Sequence, residues 1–324
     1  MSSETGACIH PEAKLKFLFS ARDYVTGDGF EVRSCDACGL GLTWPPPAPE
    51  KLGDYYPAAY YGALEERRFP KVVEAGQSLL FGQRAAEVEK RCGKVGRVLD
   101  VGCGRGFLLD AFRRRGWQVE GTELSLQSAR YPREALGLSI HVGALPELDL
   151  PEASFDAVVM WQVLEHVPNP SAFICEVFRL LKPGGVFFVS VPNFGSIEAR
   201  AASSGWFHLD VPRHLVHFTP ETLQRQLEDA GFEERGSAWG APEYDLFSVV
   251  QSALNRLGLQ QNLLYELLRE RGSKLLKGCA GDRLQAVLTL ALALPLGLAG
   301  WPLTLFLSLT RQSAIFSLYG RKPA

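Results

Sequence analysis

The stretch VLDVGCGRGFLLDAF, from Val98 to Phe112, decides the fold. Its first four residues form a short, mostly apolar run that ends at a glycine, a pattern typical of a buried parallel strand. Gly102, Gly104 and Gly106 follow at alternate positions, and helical spacing begins at Phe107. A strand, a tight glycine turn and a helix N-terminus together form a corner at which the backbone binds nucleotides and other anionic ligands. The stretch therefore predicts an α/β nucleotide-binding fold.

The spacing of the glycines distinguishes this stretch from the dinucleotide-binding fingerprint. That fingerprint is G-x-G-x-x-G, whereas here the third glycine comes one residue early and Asp100 lies inside the strand. The pattern D-x-G-x-G-x-G resembles motif I of the class I S-adenosylmethionine (SAM)-dependent methyltransferases. A second predicted strand ends at Glu123, where such folds place an acid that accepts hydrogen bonds from ribose hydroxyls. The resemblance implies SAM as cofactor, held by Asp100, Gly102, Cys103, Gly104, Gly106 and Glu123.

Two later segments extend the resemblance, which covers about Gly96 to Phe232. FDAVVMWQVLEHVPNP, from Phe155, resembles the fourth-strand motif of these enzymes, and LKPGGVFFVSV, from Leu181, resembles their turn into the fifth strand. The resemblance implies a Rossmann-like, mostly parallel seven-stranded sheet. It also implies that Trp161 and Gln162, directly after the fourth strand, contact the cofactor.

The adenine end of the cofactor site departs from the family pattern. Members often carry an acid near position 144 that contacts the adenine amine, but this chain has Ala144 there. We therefore expect adenine to be recognised by backbone groups around Ala144 and Leu145, or by the side chain of Glu147.

Composition restricts the location and the partners. The chain has 324 residues and a formal net charge of −2, so no overall positive field attracts nucleic acid. The N-terminus lacks the apolar core of a signal peptide, and the seven cysteines are an odd number. We expect a cytoplasmic enzyme in a reducing compartment, with an acceptor that is a small or lipid-linked molecule.

Residues 1–48 resemble the small zinc-binding module that precedes many methyltransferase domains of this type. Cys35 and Cys38 form a C-x-x-C-G knuckle, and alternating apolar residues around Gly27–Gly29 predict a β-hairpin before it. Cys8 and His10 would supply the other two ligands, although only one residue separates them. A structural Zn²⁺ is one interpretation; a hairpin that has lost its metal is the other.

Residues 49–93 are predicted to connect this module to the main domain. A proline-rich connector is followed by the tyrosines of DYYPAAYYG and by a helix from Lys71 to Cys92. Tyr55, Tyr56, Tyr60 and Tyr61 could line the acceptor pocket or pack the module against the domain. The sequence favours neither.

The candidate catalytic residues lie in a loop before the helix that starts at Thr219–Pro220. A hydroxyl acceptor needs a base that removes its proton as the new bond forms, and histidine is suited to this near neutral pH. The loop contains His208, His214 and His217. The string PRHLVHF resembles a PRH-containing loop of the family, which favours His214 as base; a purely structural role for these histidines is the alternative.

Residues 241–310 interrupt the domain, which we expect to comprise residues 94–240 and 311–324. Two amphipathic stretches are followed by an uncharged run from Leu284 to Thr310, long enough to span a membrane. Because Pro295, Gly297, Gly300 and Pro302 cluster in its middle, we expect a helical hairpin. The hairpin would enter one leaflet, cover an apolar acceptor, or pack in an interface.

These observations predict a SAM-dependent methyltransferase that O-methylates a sugar of a lipid-linked or surface glycan, or another amphiphilic metabolite such as a quinone precursor. C-methylation of a nucleotide-linked sugar is the nearest alternative. A zinc-ribbon RNA base methyltransferase and a non-catalytic SAM-binding scaffold are further alternatives.

Overall fold

The predicted cofactor loop lies at the carboxyl-terminal ends of the strands of a central β-sheet. In the computed structural model, residues 12–56, 71–269 and 279–324 are described. They form strands β1 (Leu15–Arg22), β2 (Gly29–Cys35), β3 (Gly41–Trp44), β4 (Arg97–Val101), β5 (Gln118–Glu123), β6 (Ser139–Val142), β7 (Phe155–Trp161), β8 (Leu181–Pro192), β9 (Val216–His217), β10 (Glu233–Trp239) and β11 (Ile315–Arg321).

The central sheet has seven strands in the order β6-β5-β4-β7-β8-β11-β10. Its first five strands are parallel, whereas β11 runs antiparallel to both β8 and β10. This confirms the predicted mostly parallel seven-stranded sheet, including the last strand, which pairs antiparallel with the sixth. The carboxyl ends of β4, β5, β7 and β8 share one edge, and ligands of such sheets bind outside that edge.

Helices cover both faces of this sheet. They are α1 (Lys71–Cys92), α2 (Phe107–Arg114), α3 (Leu126–Glu134), α4 (Pro170–Leu180), α5 (Ile197–Ala202), α6 (Pro220–Asp229), α7 (Pro242–Arg256), α8 (Leu263–Arg269) and α9 (Ala280–Leu309). Side chains cap the N-termini of several helices and so define where they begin. The Ser125 hydroxyl accepts a hydrogen bond from the Ser128 amide at the start of α3, and the Asn169 side chain accepts one from the Ala172 amide at the start of α4. The strands β7 and β8 are almost wholly buried between the helical layers, as expected of central parallel strands.

The N-terminal hairpin belongs to a second, antiparallel sheet in the order β1-β2-β3-β9. β1 and β2 form the hairpin expected around Gly27–Gly29, with Leu15 opposite Cys35. The fourth strand, β9, comes from the histidine-containing loop, since Gly41 pairs with His217 and Leu42 with Val216. The N-terminal module is therefore joined through backbone hydrogen bonds to the loop that contains the candidate base.

The hairpin predicted within the uncharged run is wrong. Residues Ala280–Leu309 form one continuous helix of 30 residues, with Pro295 and Pro302 inside it. A proline removes one helical hydrogen bond, and the remaining amides of this long apolar segment still bond within the helix. The helix packs one side against α7 and α8, and its C-terminal end leads directly into β11, so both of its ends belong to the folded domain.

Candidate active site

The three glycines of the loop between β4 and α2 differ in what surrounds them. Gly102, Gly104 and Gly106 have φ angles of 66°, 55° and 73°, which glycine adopts without strain. A Cβ on Gly102 would lie 2.7 Å from Val163, and one on Gly106 would lie 2.7 Å from Leu138. A Cβ on Gly104 would have no described atom within 4 Å. Packing therefore requires the outer two glycines, whereas Gly104 faces an open space that a ligand can fill.

Two carboxyl groups lie beside this loop at the ends of adjacent strands. Glu123 accepts a hydrogen bond from the Gly104 amide, and burial raises the pKa of its carboxyl. Asp100 is buried, and burial together with the charge of Glu123 raises the pKa of Asp100 well above its usual range. Cys103 is held by a hydrogen bond from its amide to the carbonyl of Thr122. The structure thus brings both acids and Cys103 to the glycine loop, while their contacts to the cofactor stay predictions.

Trp161 and Gln162 contribute unsatisfied donors at the end of β7. Gln162 has a φ of 55°, an uncommon conformation for a residue other than glycine. The buried Nε1 of Trp161 and Nε2 of Gln162 have no hydrogen-bond partner within the described ranges. Buried donors are almost always paired in folded proteins, so these two atoms indicate a missing acceptor. The donors, the open space over Gly104 and the acid at Glu123 fit SAM, which offers a carboxylate at one end and ribose hydroxyls further along.

The adenine end is less polar than the methionine end. Leu145 is 1% exposed and packs in the core, so only its backbone can contact a ligand, while Ala144 is half-buried at the carboxyl end of β6. Leu124, directly after Glu123, is 75% exposed. An apolar side chain left open beside the ribose-binding acid is a candidate cover for the adenine ring. The sequence analysis missed Leu124, although its position after the acid could have identified it.

The three loop histidines differ in how they are held. His214 is buried, and its Nδ1 lies 2.8 Å from the carbonyl oxygen of His208. A carbonyl only accepts, so Nδ1 carries the proton and Nε2 of His214 has a lone pair. Burial lowers the pKa of His214 to about 4, with the charge of Asp210 opposing the shift, so the ring is neutral at pH 7.

His208 and His217 have different surroundings. The buried Nε2 of His208 has no hydrogen-bond partner in the described part of the chain, and its ring lies among Trp206, Phe207 and Tyr244. His217 Nε2 lies 3.0 Å from the Thr43 hydroxyl. That hydroxyl donates to the His214 carbonyl, so it accepts from His217, whose ring nitrogen ties β9 to β3. This contact gives His217 a structural task in the loop.

A buried ion network fixes the loop on the N-terminal sheet. The Arg213 guanidinium, fully buried, lies 2.8 Å from Asp23 and 2.7 Å from Asp210, and it donates to the Tyr55 carbonyl. Tyr55 itself is 6% exposed, packs on Phe30 and belongs to the interior. Tyr55 therefore packs the module against the domain, while Tyr60 and Tyr61 lie outside the described residues.

Glu165 and His166 lie beside the loop histidines, although neither is among the site residues predicted from the sequence. Glu165 is 1% exposed, and neither carboxylate oxygen has a hydrogen-bond partner in the described ranges. Burial and the charge of Asp210 raise the pKa of Glu165 to about 8. The His166 and His214 rings meet edge to face at 4.7 Å, and Tyr56 contacts His166 with its hydroxyl at 3.3 Å from Nδ1. Tyr56 thus contacts the turn that follows β7, and its role in the acceptor pocket stays a prediction.

A comparison with protein families settles the relationship of the chain. Residues 73–235 match a family described as a methyltransferase domain. The chain belongs to the class I SAM-dependent methyltransferases. SAM is the cofactor of that family, as the glycine loop predicted.

Curated relatives of this methyltransferase match its central part. It is 40% identical over 141 residues to a probable S-adenosylmethionine-dependent methyltransferase of Mycolicibacterium smegmatis. The aligned region covers 42% of this chain and 51% of the relative. It is 36% identical over 150 residues to the ubiquinone biosynthesis O-methyltransferase of Idiomarina loihiensis. This aligned region covers 43% of this chain and 62% of the relative. The methyltransferase thus spans between half and two thirds of the length of these relatives.

A solved structure shares the fold of this methyltransferase. Phosphoethanolamine N-methyltransferase 2 of Haemonchus contortus, in complex with SAM, matches with a TM-score of 0.53 at 15% identity, covering 96% of this chain and 69% of that chain. The likeness confirms the predicted class I fold.

The predicted zinc ligands of the methyltransferase are described only in part. Cys35 is buried and Cys38 is half-buried, and the Gly39 amide donates to the Cys35 carbonyl at 2.7 Å, as in a tight knuckle. Cys8 and His10 lie outside the described residues. The structural Zn²⁺ at Cys8, His10, Cys35 and Cys38 therefore stays a prediction.

Proposed function

We propose that the chain transfers the methyl group of SAM to a hydroxyl oxygen of an amphiphilic small molecule. The observation that carries the proposal is the placement of two neutral histidines beside the glycine loop. Val163, which packs against Gly102, is followed within three residues by His166, and His166 contacts His214. We therefore expect lone pairs that can assist loss of a proton to face the site where the methyl donor would bind. The O-methyltransferase names of relatives agree with oxygen as the acceptor atom.

Each side chain of the cofactor site has a separate task in this proposal. Glu123 accepts hydrogen bonds from the ribose, and the donors of Trp161 and Gln162 bind the methionine end. SAM, when bound, supplies a methyl group on a positively charged sulfur that is already reactive. The main work of the protein is therefore to align the acceptor oxygen with that methyl group and to exclude water.

We assign proton removal to His214, with His208 as the alternative in the same loop. The ring of His214 is neutral and its orientation is fixed by the bond from Nδ1 to the His208 carbonyl. The burial that keeps it neutral also makes it a weak base, because the best catalytic bases have a pKa near the working pH. The acceptor oxygen therefore needs further assistance in losing its proton.

The proposed acceptor is a sugar of a lipid-linked or surface glycan, or another amphiphile such as a quinone precursor. The surface of α9 supports an apolar partner. Among the described residues, Ala280–Leu309 is the one helix long and apolar enough to span a membrane, a criterion of length and composition alone. Its outward side chains are almost all apolar, including Leu284, Leu294, Leu298, Trp301, Leu305 and Leu309, which are 59–77% exposed.

We propose that α9 lies along a membrane surface rather than across it. Both ends of the helix belong to the folded domain, and a span would separate them by the thickness of the bilayer. The exposed apolar side chains extend from Leu284 near the start of α9 to Leu309 at its end, while other side chains of the helix pack against α7 and α8, so α9 presents one long apolar surface away from the domain. Residues 241–310 would thus act as a membrane-facing insertion that keeps this cytoplasmic enzyme at the inner face.

Substitution of the candidate base tests the catalytic part of the proposal. His214→Ala should abolish methyl transfer while SAM binds with unchanged affinity, because the ring contacts the loop and not the cofactor residues. His141→Ala is the control, since His141 lies 2.9 Å from Glu120 on strands away from the loop. Methyl transfer by His214→Ala at the wild-type rate would refute the assignment.

A further inference from the structure

Three side chains from two segments converge at the end of β7. Glu165 and His166 lie in the short turn Leu164–His166 that follows this strand, and His214 comes from the loop before β9. One potential ligand atom from each of the three lies within 4.8 Å of the others. They are the one group of this kind found among the described residues.

The hydrogen bonds of both rings leave the same nitrogen available. His166 Nδ1 lies 2.9 Å from the carbonyl oxygen of Arg213, and His214 Nδ1 lies 2.8 Å from that of His208. Because these carbonyls only accept, both Nδ1 atoms carry protons and both Nε2 atoms have lone pairs. Histidines that bind metal ions are almost always oriented in this way, with the second nitrogen donating to a carbonyl or a carboxylate.

The carboxylate of Glu165 provides an independent observation. It is 1% exposed, and neither oxygen has a hydrogen-bond partner from another residue within 12–56, 71–269 and 279–324. Arg213, the nearby cation, is already bonded to Asp23, Asp210 and the Tyr55 carbonyl. A buried carboxyl group without a cation beside it either keeps its proton or coordinates a metal ion, so Glu165 is available as a ligand once that proton is lost.

We propose that Glu165, His166 and His214 bind a divalent transition-metal ion, and that its open positions take the hydroxyl oxygen of the acceptor. Two imidazoles and one carboxylate are a recurrent ligand set of ions that keep coordination sites free for substrate. Three ligand atoms that each lie about 2.2 Å from one ion are at most about 3.8 Å from one another. The three atoms therefore need to approach one another by roughly 1 Å from the 4.8 Å limit, a shift that side-chain rotations can supply.

With its Nε2 on the ion, His214 would act through the metal instead of taking up the proton itself, and the ion would supply the assistance that a weakly basic histidine lacks. A hydroxyl bound to a divalent ion loses its proton more readily, as metal-bound water does. The O–H bond breaks and the proton passes to solvent; the oxygen then forms a bond to the methyl carbon as the carbon–sulfur bond of SAM breaks. The products are a methyl ether, S-adenosylhomocysteine and one proton. This step rests on the proposed O-methyl transfer, whereas binding of the ion does not.

Binding of Mn²⁺ tests the site without an acceptor. The concentration of free Mn²⁺ is measured from its electron paramagnetic resonance signal. Mn²⁺ suits oxygen and nitrogen ligands, whereas the thiolates of Cys35 and Cys38 select softer ions. We expect the wild-type chain to bind one Mn²⁺ ion. Glu165→Gln should lower the affinity for Mn²⁺ by more than about 100-fold, because loss of a residue that only supports a ligand typically lowers metal affinity 10- to 100-fold. His141→Gln, which alters another histidine–carboxylate pair, should bind Mn²⁺ as the wild type does.

Glu165→Gln should fold, because the amide has the shape of the carboxylate and the carboxylate has no described partner to lose. Its fold and its SAM affinity are measured alongside as controls. Mn²⁺ should raise the melting temperature of the wild type and leave that of Glu165→Gln unchanged, since a ligand of the native state stabilises it.

Absence of Mn²⁺ binding in the folded wild type, or binding that survives both Glu165→Gln and His166→Gln, would overturn the proposal. Retained SAM binding and methyl transfer in the same samples would leave the proposed function standing.

Discussion

Replacing Leu294 and Leu298 of α9 by serine should release the protein from lipid membranes. Each of these side chains is 71% exposed in the folded chain. Burial of a whole leucine side chain contributes about 1.5–3 kcal/mol, so the exposed part contributes about 1–2 kcal/mol for each. Together they contribute about 2–4 kcal/mol, and their removal should weaken binding about 30- to 1,000-fold. The fold should be unaffected, because both side chains point away from α7 and α8.

Flotation with vesicles of phosphatidylglycerol and phosphatidylethanolamine measures this effect. The fraction of protein that floats is compared for the wild type, the double variant and two controls, Leu79→Ser and Leu257→Ser. Leu79 lies in α1 and Leu257 directly follows α7; they are 65% and 62% exposed, so each control removes about as much exposed apolar area as one of the two replaced leucines of α9. Equal flotation of the double variant and the wild type would refute the membrane-facing role of α9. A loss of the same size in the controls would refute it as well.

Three further changes test the cofactor site and the core. Glu123→Gln should weaken SAM binding about 10- to 100-fold by calorimetry, because a hydrogen bond to a charged group contributes about 1.5–3 kcal/mol; an unchanged Kd would exclude Glu123 from the site. Gly102→Ala should lower the free energy of unfolding by about 1–3 kcal/mol more than Gly104→Ala, since only the first Cβ meets Val163; equal losses would contradict this. Burial raises the pKa of Glu198 from 4.5 to about 7, so the folded state holds this proton more tightly and loses stability as the pH rises between these values. The free energy of unfolding, measured with urea, should fall by about 3 kcal/mol less for Glu198→Gln than for the wild type over that pH range. An equal fall in both proteins would show that Glu198 does not cause the pH dependence.

The cofactor half of the site could be predicted from the sequence because its determinants are local. The glycines, Asp100 and Glu123 lie within 24 residues of one another, and their spacing reflects backbone conformations that one turn requires. The packing of Gly102 and Gly106 and the open space at Gly104 agree with that interpretation.

The acceptor half depends on contacts between distant segments, which no spacing rule reports. His166 and His214 are 48 positions apart in the chain, and they meet where the Leu215 amide donates to the Glu165 carbonyl. Glu165 was overlooked because an acid after a strand is commonly solvated, and only its burial without a partner sets it apart.

The uncharged run shows the limit of local rules in another way. Pro295 and Pro302 predicted a turn, but helix α9 continues through both. Support from α7 and α8 along one side of the helix outweighs the hydrogen bonds that the prolines remove.

Transfer of a labelled methyl group from SAM tests the central claim most directly. The chain is incubated with methyl-labelled SAM and a cell extract, which is then separated into lipid, soluble sugar-nucleotide and RNA fractions. Gly104→Arg is the inactive control, because its side chain would fill the open space over the loop. We expect label in the lipid or amphiphile fraction, released as methyl iodide by hydriodic acid, as for a methyl ether. Label confined to RNA, or no label above the Gly104→Arg control in any fraction, would contradict the account.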